Sequence, residues 1–274
     1  MPFIQAPDGT ELFYKDWGTG QPLLFVHGWC ISSDSWEYLM NELLASGFRC
    51  IAYDQRGCGR SAPAGGGYDY DTLAADLAAV VSTLALEGVT LIGHSMGCGI
   101  IARYLSTHAA APVSRAVLLA TTTPFPIWSA DNPAGIDESY CHAALAALRH
   151  DRPAYVRSLA EGFFSPPGAA SLVSPDLTEW AIGLTLQASS RAALEMQATA
   201  FFSDQRQELT RVRVPVLLLH GDQDVSCPVP LTAGPTQQLL PNSQLKTYEN
   251  QAHGLVMSGW QAVSADIRAF IASA

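Results

Sequence analysis

The sequence predicts an α/β protein with a mostly parallel central sheet and helices on both faces. Short apolar runs rich in β-formers alternate with longer helix-like stretches, several of the runs are almost wholly hydrophobic, and the alternation breaks once in the middle of the chain. A strand that is buried on both faces of a parallel sheet reads as a continuous apolar run. Repeated strand–helix–strand units imply right-handed crossovers and a doubly wound sheet.

Seven segments are predicted strands. They are ELFYKDWG, PLLFVHG, FRCIAYD, GVTLIGH and RAVLLAT in the first half, and VPVLLLHG and QLKTYEN after residue 212. Helices are expected at 35–46, 70–86 and 96–108, and a last one from residue 261. In the second of these, Leu73, Leu77 and Leu84 recur at helical spacing, which predicts one apolar face packed against the sheet.

Residues 122–211 interrupt this rhythm. They contain Pro-rich turns (TPFPIWSADNP, FFSPPG and VSPD) and four helix-like segments near 137–149, 152–164, 175–187 and 190–202, but no convincing strand. This pattern predicts a helical cap, 122–211, inserted between two parts of one core, 1–121 and 212–274. A chain of 274 residues with 48% hydrophobic residues is long enough for one core with such an insertion.

Composition argues against several classes of protein. The net charge of −10 and the lack of a Lys/Arg cluster argue against a nucleic-acid-binding surface. No apolar run approaches membrane-spanning length, and the first residues lack the pattern of a signal peptide, so we expect a cytoplasmic protein without membrane insertion. The six cysteines are scattered without a CxxC pair, which predicts reduced thiols rather than a disulfide framework or a metal site.

A candidate nucleophile lies between the fourth predicted strand and the helix that follows it. Gly93-His94-Ser95-Met96-Gly97 matches G-x-S-x-G in the strand–turn–helix context that this motif requires. The turn is so sharp that neighbouring positions must lack bulky side chains, and it lifts the serine hydroxyl clear of the sheet. The alternative is a serine in an ordinary tight turn between glycines; the flanking strand and helix favour the nucleophile.

A serine hydroxyl needs a base, and His253 is the best of the seven histidines. It lies in a loop after the last predicted strand, at the edge of the sheet where the serine also lies. His94 adjoins the serine and is interpreted as packing or hydrogen-bonding support. The remaining histidines end strands (His27 and His220) or lie in or beside helices.

The third group should be a carboxylate that orients the imidazole. LHGDQDVSCP offers Asp222 and Asp224 just past a strand end, whereas the segment after RAVLLAT has no carboxylate. Asp222 directly follows the glycine turn, where it would brace the loop, so Asp224 is the predicted acid. For the oxyanion, the predicted N–H donors are those of Met96, at the start of the helix, and Trp29, in the loop after PLLFVHG.

Together, HGW, YDQRGCGRS, GHSMGCG, LHGDQD and AHG resemble the α/β-hydrolase superfamily, and within it the cofactor-free bacterial haloperoxidases (perhydrolases) and the aryl- and carboxylesterases. The resemblance covers essentially the whole chain and implies that fold, with a helical cap inserted after strand 6. It implies a catalytic triad of Ser95, Asp224 and His253, an oxyanion hole at Trp29 and Met96, and no metal or other cofactor. The stretch 54–61 looks like the family's structural D-x-R-G-x-G-x-S loop.

The predicted reaction is hydrolysis of small, largely apolar carboxylic esters through an acyl-enzyme. Members of the resembled group noted for perhydrolysis usually carry Pro after the Trp of the hole, and Cys30 stands there in this sequence, which favours plain ester hydrolysis. A perhydrolase or haloperoxidase, a lactonase and a carbon–carbon bond hydrolase use the same triad and remain alternatives. A non-catalytic ligand-binding protein on this scaffold is a further alternative, against which stands the complete triad.

Cap aromatics, Phe163 among them, suggest an apolar substrate site. The residues predicted to line it are Phe125, Trp128, Tyr140, Leu148, Phe164 and Val225. The expected partner is a small-molecule ester, with no nucleic acid, and homo-oligomerisation is left open.

Overall fold

Eight strands form one sheet in the structure, a computed structural model that describes residues 2–108 and 111–273. They are β1 (Phe3–Gln5), β2 (Glu11–Trp17), β3 (Pro22–Val26), β4 (Arg49–Tyr53), β5 (Val89–His94), β6 (Val113–Leu119), β7 (Val216–Gly221) and β8 (Ser243–Tyr248). Their order across the sheet is β1-β2-β4-β3-β5-β6-β7-β8. Only β2 runs antiparallel to its neighbours among these strands; all other neighbouring pairs are parallel. The predicted α/β class and mostly parallel sheet are confirmed.

The apolar runs are strands because both of their faces are covered. In β3, Leu24 packs into a core cluster with helices α2 (Tyr70–Thr83) and α3 (Met96–Thr107), and its neighbour Leu23 into a second cluster with α1 (Glu37–Ala45) and α11 (Trp260–Ala272). Successive side chains of a strand point to opposite faces, so one run supplies both cores. The first strand, β1, has no counterpart among the predicted strands because it has three residues and buries only Ile4.

Five helices lie between β6 and β7. They are α4 (Glu138–His150), α5 (Arg152–Phe164), α6 (Pro175–Leu186), α7 (Ser190–Phe202) and α8 (Arg206–Leu209). The first four match the four predicted segments to within a residue, and the one-turn α8 was not predicted. Polar N-caps account for this accuracy: Ser174 accepts a hydrogen bond from the Leu177 N–H (3.2 Å), and Ser189 accepts one from the Ala192 N–H (3.1 Å).

The inserted helices pack on one another, α4 against α5 and α7, and α5 against α6. The division into a core of 1–121 and 212–274 and a cap of 122–211 stays a prediction, and Met1 and Ala274, which end the core ranges, lie outside the described residues. After β7 come α9 (Ala233–Leu239), β8 and α10 (Leu255–Ser258). Over residues 2–108 and 111–273, no helix combines the length and the apolar character needed to cross a membrane.

Candidate active site

Ser95 stands at a strained turn between β5 and α3. Its backbone has φ 53° and ψ −121°, a conformation that non-glycine residues rarely adopt and that persists where the surrounding structure enforces it. The backbone of Gly97, just after the turn, packs closely on the end of β3: a Cβ at this position would lie 2.2 Å from the carbonyl oxygen of Val26. Only glycine fits at that position. The strain and the close packing are those expected of G-x-S-x-G between a strand and a helix.

The structure brings Ser95, His253 and Asp224 together in a hydrogen-bonded chain. Nε2 of His253 lies 2.9 Å from Oγ of Ser95, and Nδ1 of His253 lies 2.7 Å from Oδ2 of Asp224. A carboxylate can only accept, so Nδ1 carries a proton and Nε2 is left to accept the serine proton. All three side chains are buried, at 7%, 5% and 4% exposure for Ser95, His253 and Asp224. In this arrangement the Ser95 hydroxyl can pass its proton to the His253 imidazole at a site shielded from bulk water.

The ionisation of Asp224 and His253 depends on their contact with each other. Burial lowers the pKa of His253, but the negative charge of Asp224 outweighs it, so the His253 pKa lies well above its usual value. Burial raises the pKa of Asp224, but the positive charge of His253 and the hydrogen bond from His220 outweigh it, and the Asp224 pKa lies well below its usual value. The carboxylate therefore stays ionised and stabilises an imidazolium.

Asp224 is held by two groups besides His253. Its Oδ1 accepts the backbone N–H of Cys227 at 2.7 Å, and its Oδ2 lies 3.1 Å from Nε2 of His220. The same Nε2 lies 2.7 Å from the carbonyl oxygen of Cys227, so it must carry a proton that both acceptors share. Sequence reasoning placed His220 only at a strand end. Its position four residues before the acid, at the carboxyl edge of the sheet, was the available signal.

His94 and Phe163 surround the ring of His253. Nε2 of His94 donates to the carbonyl oxygen of His253 at 3.1 Å, and burial lowers the pKa of His94 to about 3, so its ring is neutral. The ring of Phe163, near the end of α5, meets the His253 ring edge to face at 5.4 Å between centroids. The Phe163 carbonyl also accepts the N–H of Gly254 at 2.6 Å. The inserted helices therefore contact the loop that carries the imidazole directly.

The loop after β3 lies against the serine. A Cβ at Gly28 would lie 3.1 Å from the Cβ of Ser95, so the backbone of this loop passes close to the serine. The indole N–H of Trp29 donates to the Ala193 carbonyl in α7 at 2.9 Å. The backbone carbonyl of Trp29 accepts the Ile31 N–H at 2.8 Å. Between them, Cys30 has φ 56°. On the other side, the Met96 N–H is the first of α3, and the first N–H groups of a helix have no partner within it.

A small apolar cavity of about 70 Å³ lies between this loop and the inserted helices. It is lined by Trp29 and Ile31 of the loop, Phe163 and Phe164 of α5, and Ile182 and Thr185 of α6, among others. This volume is far below the roughly 300 Å³ at which pockets for drug-sized ligands begin, so the cavity suits a short apolar group. A larger polar depression of about 290 Å³ lies between α3 and α8. Neither hollow is lined by a residue of the triad, but the apolar one is lined by Trp29 of the loop beside Ser95 and by Phe163, whose ring contacts that of His253.

Of the six residues predicted to line the substrate site, the structure places only Phe164 in the wall of this cavity. Trp128 and Tyr140 are 59% and 65% exposed, and Val225 is 49% exposed. Leu148 is buried in the core cluster that also contains Leu24. The guanidinium of Arg206 lies 5.3 Å from the centre of the Phe125 ring. The chain between β6 and α4 forms a bridge of its own between Ile127 and Ile136. Neither Phe125 nor Trp128, which lie in this segment, lines the cavity.

The loop 54–61 makes the contacts of a structural brace. Asp54 accepts the N–H groups of Ser33 (2.7 Å) and Arg60 (2.8 Å), and Arg56 forms a two-pronged ion pair with Asp76 (2.6 and 2.7 Å), both fully buried. In the described ranges, no group of three or more His, Cys, Asp or Glu side chains is arranged to hold a metal ion.

The chain is similar to known proteins over its whole length. A family model described as "alpha/beta hydrolase fold" matches residues 21–137, and one described as "TAP-like protein" matches residues 194–274. The chain is 39% identical to a non-heme haloperoxidase of Rhodococcus erythropolis, with 100% of both chains covered. The chain belongs to the α/β-hydrolase family.

The solved structures that resemble this chain include one named as a bromoperoxidase and one named as an esterase. A bromoperoxidase from Bacillus anthracis superimposes with a TM-score of 0.96 at 31% identity, and an esterase from Exiguobacterium antarcticum with a TM-score of 0.93 at 32% identity. Each match covers 99% of both chains. The predicted resemblance to the haloperoxidase and esterase group is confirmed. The chain therefore belongs to a family of enzymes.

Proposed function

We propose that this α/β hydrolase cleaves small, largely apolar carboxylic esters through a covalent acyl-enzyme. Ser95 is the nucleophile, His253 the general base and acid, and Asp224 the carboxylate that orients the imidazole. The N–H groups of Trp29 and Met96 bind the oxyanion. The observation that carries the proposal is the 2.9 Å approach of His253 Nε2 to the hydroxyl of a serine held in a strained strand-to-helix turn.

In the first half-reaction, Ser95 Oγ attacks the ester carbonyl carbon while His253 takes the hydroxyl proton. The carbonyl oxygen becomes negative, and two N–H donors at that point stabilise it by about 3 kcal/mol each. The tetrahedral intermediate then collapses: the bond to the alcohol oxygen breaks, and His253 returns its proton to the leaving alcohol. An acyl group remains on Ser95.

In the second half-reaction, His253 takes a proton from a water molecule that attacks the acyl carbon. The new tetrahedral oxygen uses the same two donors, and its collapse returns the proton to Ser95 Oγ and frees the carboxylic acid. Burial supports this chemistry, because the triad lies in a low-dielectric site where fixed dipoles act strongly. The cavity beside Trp29 supports a short apolar acyl or alcohol group.

A second candidate is perhydrolysis, in which hydrogen peroxide replaces water in the second half-reaction and a peracid is released. The similarity to proteins named haloperoxidase and bromoperoxidase supports it. Cys30 favours hydrolysis instead: its φ of 56° is closed to proline, whose ring fixes φ near −65°. The loop therefore has a different turn from one that carries Pro after the Trp.

The experiment is hydrolysis of p-nitrophenyl esters from acetate to octanoate by the wild type and Ser95→Ala, with no added metal or cofactor. The proposal predicts turnover by the wild type and a loss of roughly 10⁴- to 10⁶-fold in kcat in the variant. Bromination of monochlorodimedone with acetate, hydrogen peroxide and bromide, run in parallel, is expected to be slower than ester hydrolysis. A folded wild type that is inactive on every ester, or activity that survives in Ser95→Ala, contradicts the proposal.

A further inference from the structure

We propose that Cys30 and Cys58 are a redox-sensitive pair of thiols, and that their oxidation by hydrogen peroxide to a disulfide displaces the loop of the oxyanion hole and slows hydrolysis. The effect on hydrolysis rests on the proposed function, in which the Trp29 N–H of this loop binds the oxyanion. The formation of the disulfide is independent of that function. Neither cysteine side chain takes part in the proposed reaction.

The two thiols come from different loops and meet in the core. Cys30 directly follows Trp29 in the loop after β3, and Cys58 lies in the loop after β4. Both are free thiols, both are fully buried in the same apolar cluster, and their side chains form a hydrogen bond. A pair of reduced thiols in direct contact is the arrangement from which a disulfide can form with little movement of the chain.

A third sulfur fixes the direction of this contact. Sδ of Met196, in α7, lies 3.9 Å from Sγ of Cys58. A thioether can only accept, so the Cys58 thiol donates to Met196 and its sulfur is left to accept from Cys30. The Ala193 carbonyl of the same helix accepts the Trp29 indole N–H. The thiol pair therefore lies where the loop of the hole, the loop of Cys58 and the inserted helices meet.

The oxidation balances with one molecule of hydrogen peroxide. One thiol of the pair, as its thiolate, attacks a peroxide oxygen; the O–O bond breaks, and the sulfur becomes a sulfenic acid. The second thiol then attacks this sulfur and displaces its hydroxyl group as water. In total, two thiols and one hydrogen peroxide give one disulfide and two water molecules, and the two sulfurs supply the electrons that reduce the peroxide.

The surroundings of the pair predict a slow reaction. Burial and the hydrogen bond with Cys58 raise the pKa of Cys30 well above its usual value, against the positive charge of Arg152. The thiolate is the form that attacks, so we expect the oxidation to take minutes to hours at neutral pH. The apolar cavity is lined by Trp29 and Ile31, the chain neighbours of Cys30, so a small oxidant can come close to this loop.

The disulfide would change the turn that carries the oxyanion hole. A covalent bond holds two sulfurs closer together than a hydrogen bond does, so Cys30 and Cys58 must approach each other. Cys30 already has φ 56°, a conformation that non-glycine residues rarely adopt, and the Trp29 carbonyl accepts the Ile31 N–H across it at 2.8 Å. We expect this tight turn to follow the sulfur, so that the neighbouring peptide groups rotate and the hole loses a donor.

The test is treatment of the wild type with hydrogen peroxide, followed by blocking of free thiols and mass spectrometry of a digest made without reductant. We expect a peptide pair joined through Cys30 and Cys58. In step with its formation, kcat on p-nitrophenyl acetate should fall by up to roughly 10², the cost of a lost oxyanion donor. Dithiothreitol should remove the cross-link and restore the rate. A loss of activity that dithiothreitol does not reverse overturns the inference.

Three serine substitutions show which thiols are responsible. Cys30→Ser and Cys58→Ser each remove one member of the pair, and each should keep its own starting activity under the same treatment. Cys141→Ser, at a buried position in α4 outside the cluster, is the matched control and should lose activity like the wild type. Inactivation through Cys227, whose side chain contacts His253, would persist in all three variants and overturn the inference.

Ser95→Ala separates the inference from the proposed function. This variant should form the same cross-link with peroxide, because the nucleophile has no part in the oxidation. If the wild type hydrolyses no ester, the proposed function fails, and a cross-link in both proteins still supports the thiol pair. No cross-link between Cys30 and Cys58 in either protein overturns the inference at any level of activity. A complete cross-link that leaves esterase activity unchanged overturns its effect on the hole.

Discussion

At the scale of single residues, the site is organised by four of the seven histidines, each with its own partner. His253 lies between the serine and the acid, and His220 shares the acid oxygen with it. His94 holds the backbone carbonyl of His253, and His27 holds that of Gly28. The rings of His220, His94 and His27 thus bond to the acid or to backbone carbonyls rather than to the serine hydroxyl.

The acid can be tested with a pair of neighbouring substitutions. Asp224→Asn keeps the shape of the side chain but stabilises the wrong tautomer of His253, so we expect kcat to fall by about 10⁴. Asp222 is exposed, and only its backbone N–H contacts β8, where it donates to the Tyr248 carbonyl. Asp222→Asn is therefore the matched control and should keep the wild-type kcat. The opposite order of losses would assign the acid to Asp222.

The pH dependence of kcat/KM follows from the charge on His253. The base must be neutral to accept the serine proton, and the Asp224 charge raises its pKa above the ordinary 6.5, against the effect of burial. Activity should therefore fall as the pH drops through that raised pKa, and the acid limb should move to lower pH in Asp224→Asn. An acid limb of the wild type at or below 6.5 would contradict this electrostatic account.

Residues whose role depends on local motif and chain order were predictable, whereas those defined by tertiary contact were not. Ser95 lies in a five-residue motif, and His253 and Asp224 each follow a recognisable strand. His220 lies four residues before the acid, which was a signal, but its ring contact with the Cys227 carbonyl and that of the His27 ring with Gln55 in the loop after β4 have no signature in the chain.

At the scale of elements, the end of α5 and the His253 loop are joined at Gly254. Its φ of −74° suits any residue, but a Cβ there would lie 2.8 Å from the ring and the carbonyl oxygen of Phe163. Gly254→Ala must therefore separate α5 from this loop, and we expect a lower kcat and a loss of about 1–3 kcal/mol in unfolding free energy. Kinetics and urea unfolding measure both.

Gly183→Ala is the control for that substitution. Gly183 is exposed within α6, and a Cβ there meets nothing within 4 Å. Its replacement should leave kcat unchanged and raise the unfolding free energy by about 0.5–1 kcal/mol. An unchanged kcat in Gly254→Ala as well would mean that the contact between α5 and the loop has no part in catalysis.

The same elements show how far the fold could be predicted. Buried strands and capped helices were predicted closely, because apolar runs and polar caps are local signals. β1 and α8 were not predicted, since three or four residues carry too little pattern, and α9, which contains Gly234 and Pro235, has a weak helical signal.

At the scale of the whole molecule, the substrate range should follow from the small cavity between the loop of Trp29 and α5 and α6. Its volume of about 70 Å³ favours short acyl chains. Ile182 of α6 is buried in its wall, and Ile182→Ala should shift the preferred p-nitrophenyl ester to a longer chain by removing atoms from that wall. Ile271→Ala, at a half-buried position in α11, is the control. Equal chain-length profiles for both variants would exclude this cavity as the acyl site.

The position of the cavity explains why its lining could not be predicted from sequence. It forms where helices separated by more than a hundred residues from the loop of Trp29 pack onto that loop. The angle of that packing depends on contacts such as the Trp29 indole with the Ala193 carbonyl, which have no signature in the chain. Aromatic composition predicted an apolar site but not which of Phe125, Trp128 and Phe164 would face it.

The most direct test of the account is the site of covalent modification by a fluorophosphonate, which reacts with an activated serine. The wild-type protein would be treated with the reagent, digested and examined by mass spectrometry, beside Ser95→Ala. The account predicts one adduct, on the peptide that contains Ser95, with loss of esterase activity in step with its formation and no adduct in the variant. A folded wild type that hydrolyses esters but carries no adduct on Ser95, or carries it elsewhere, would contradict the account.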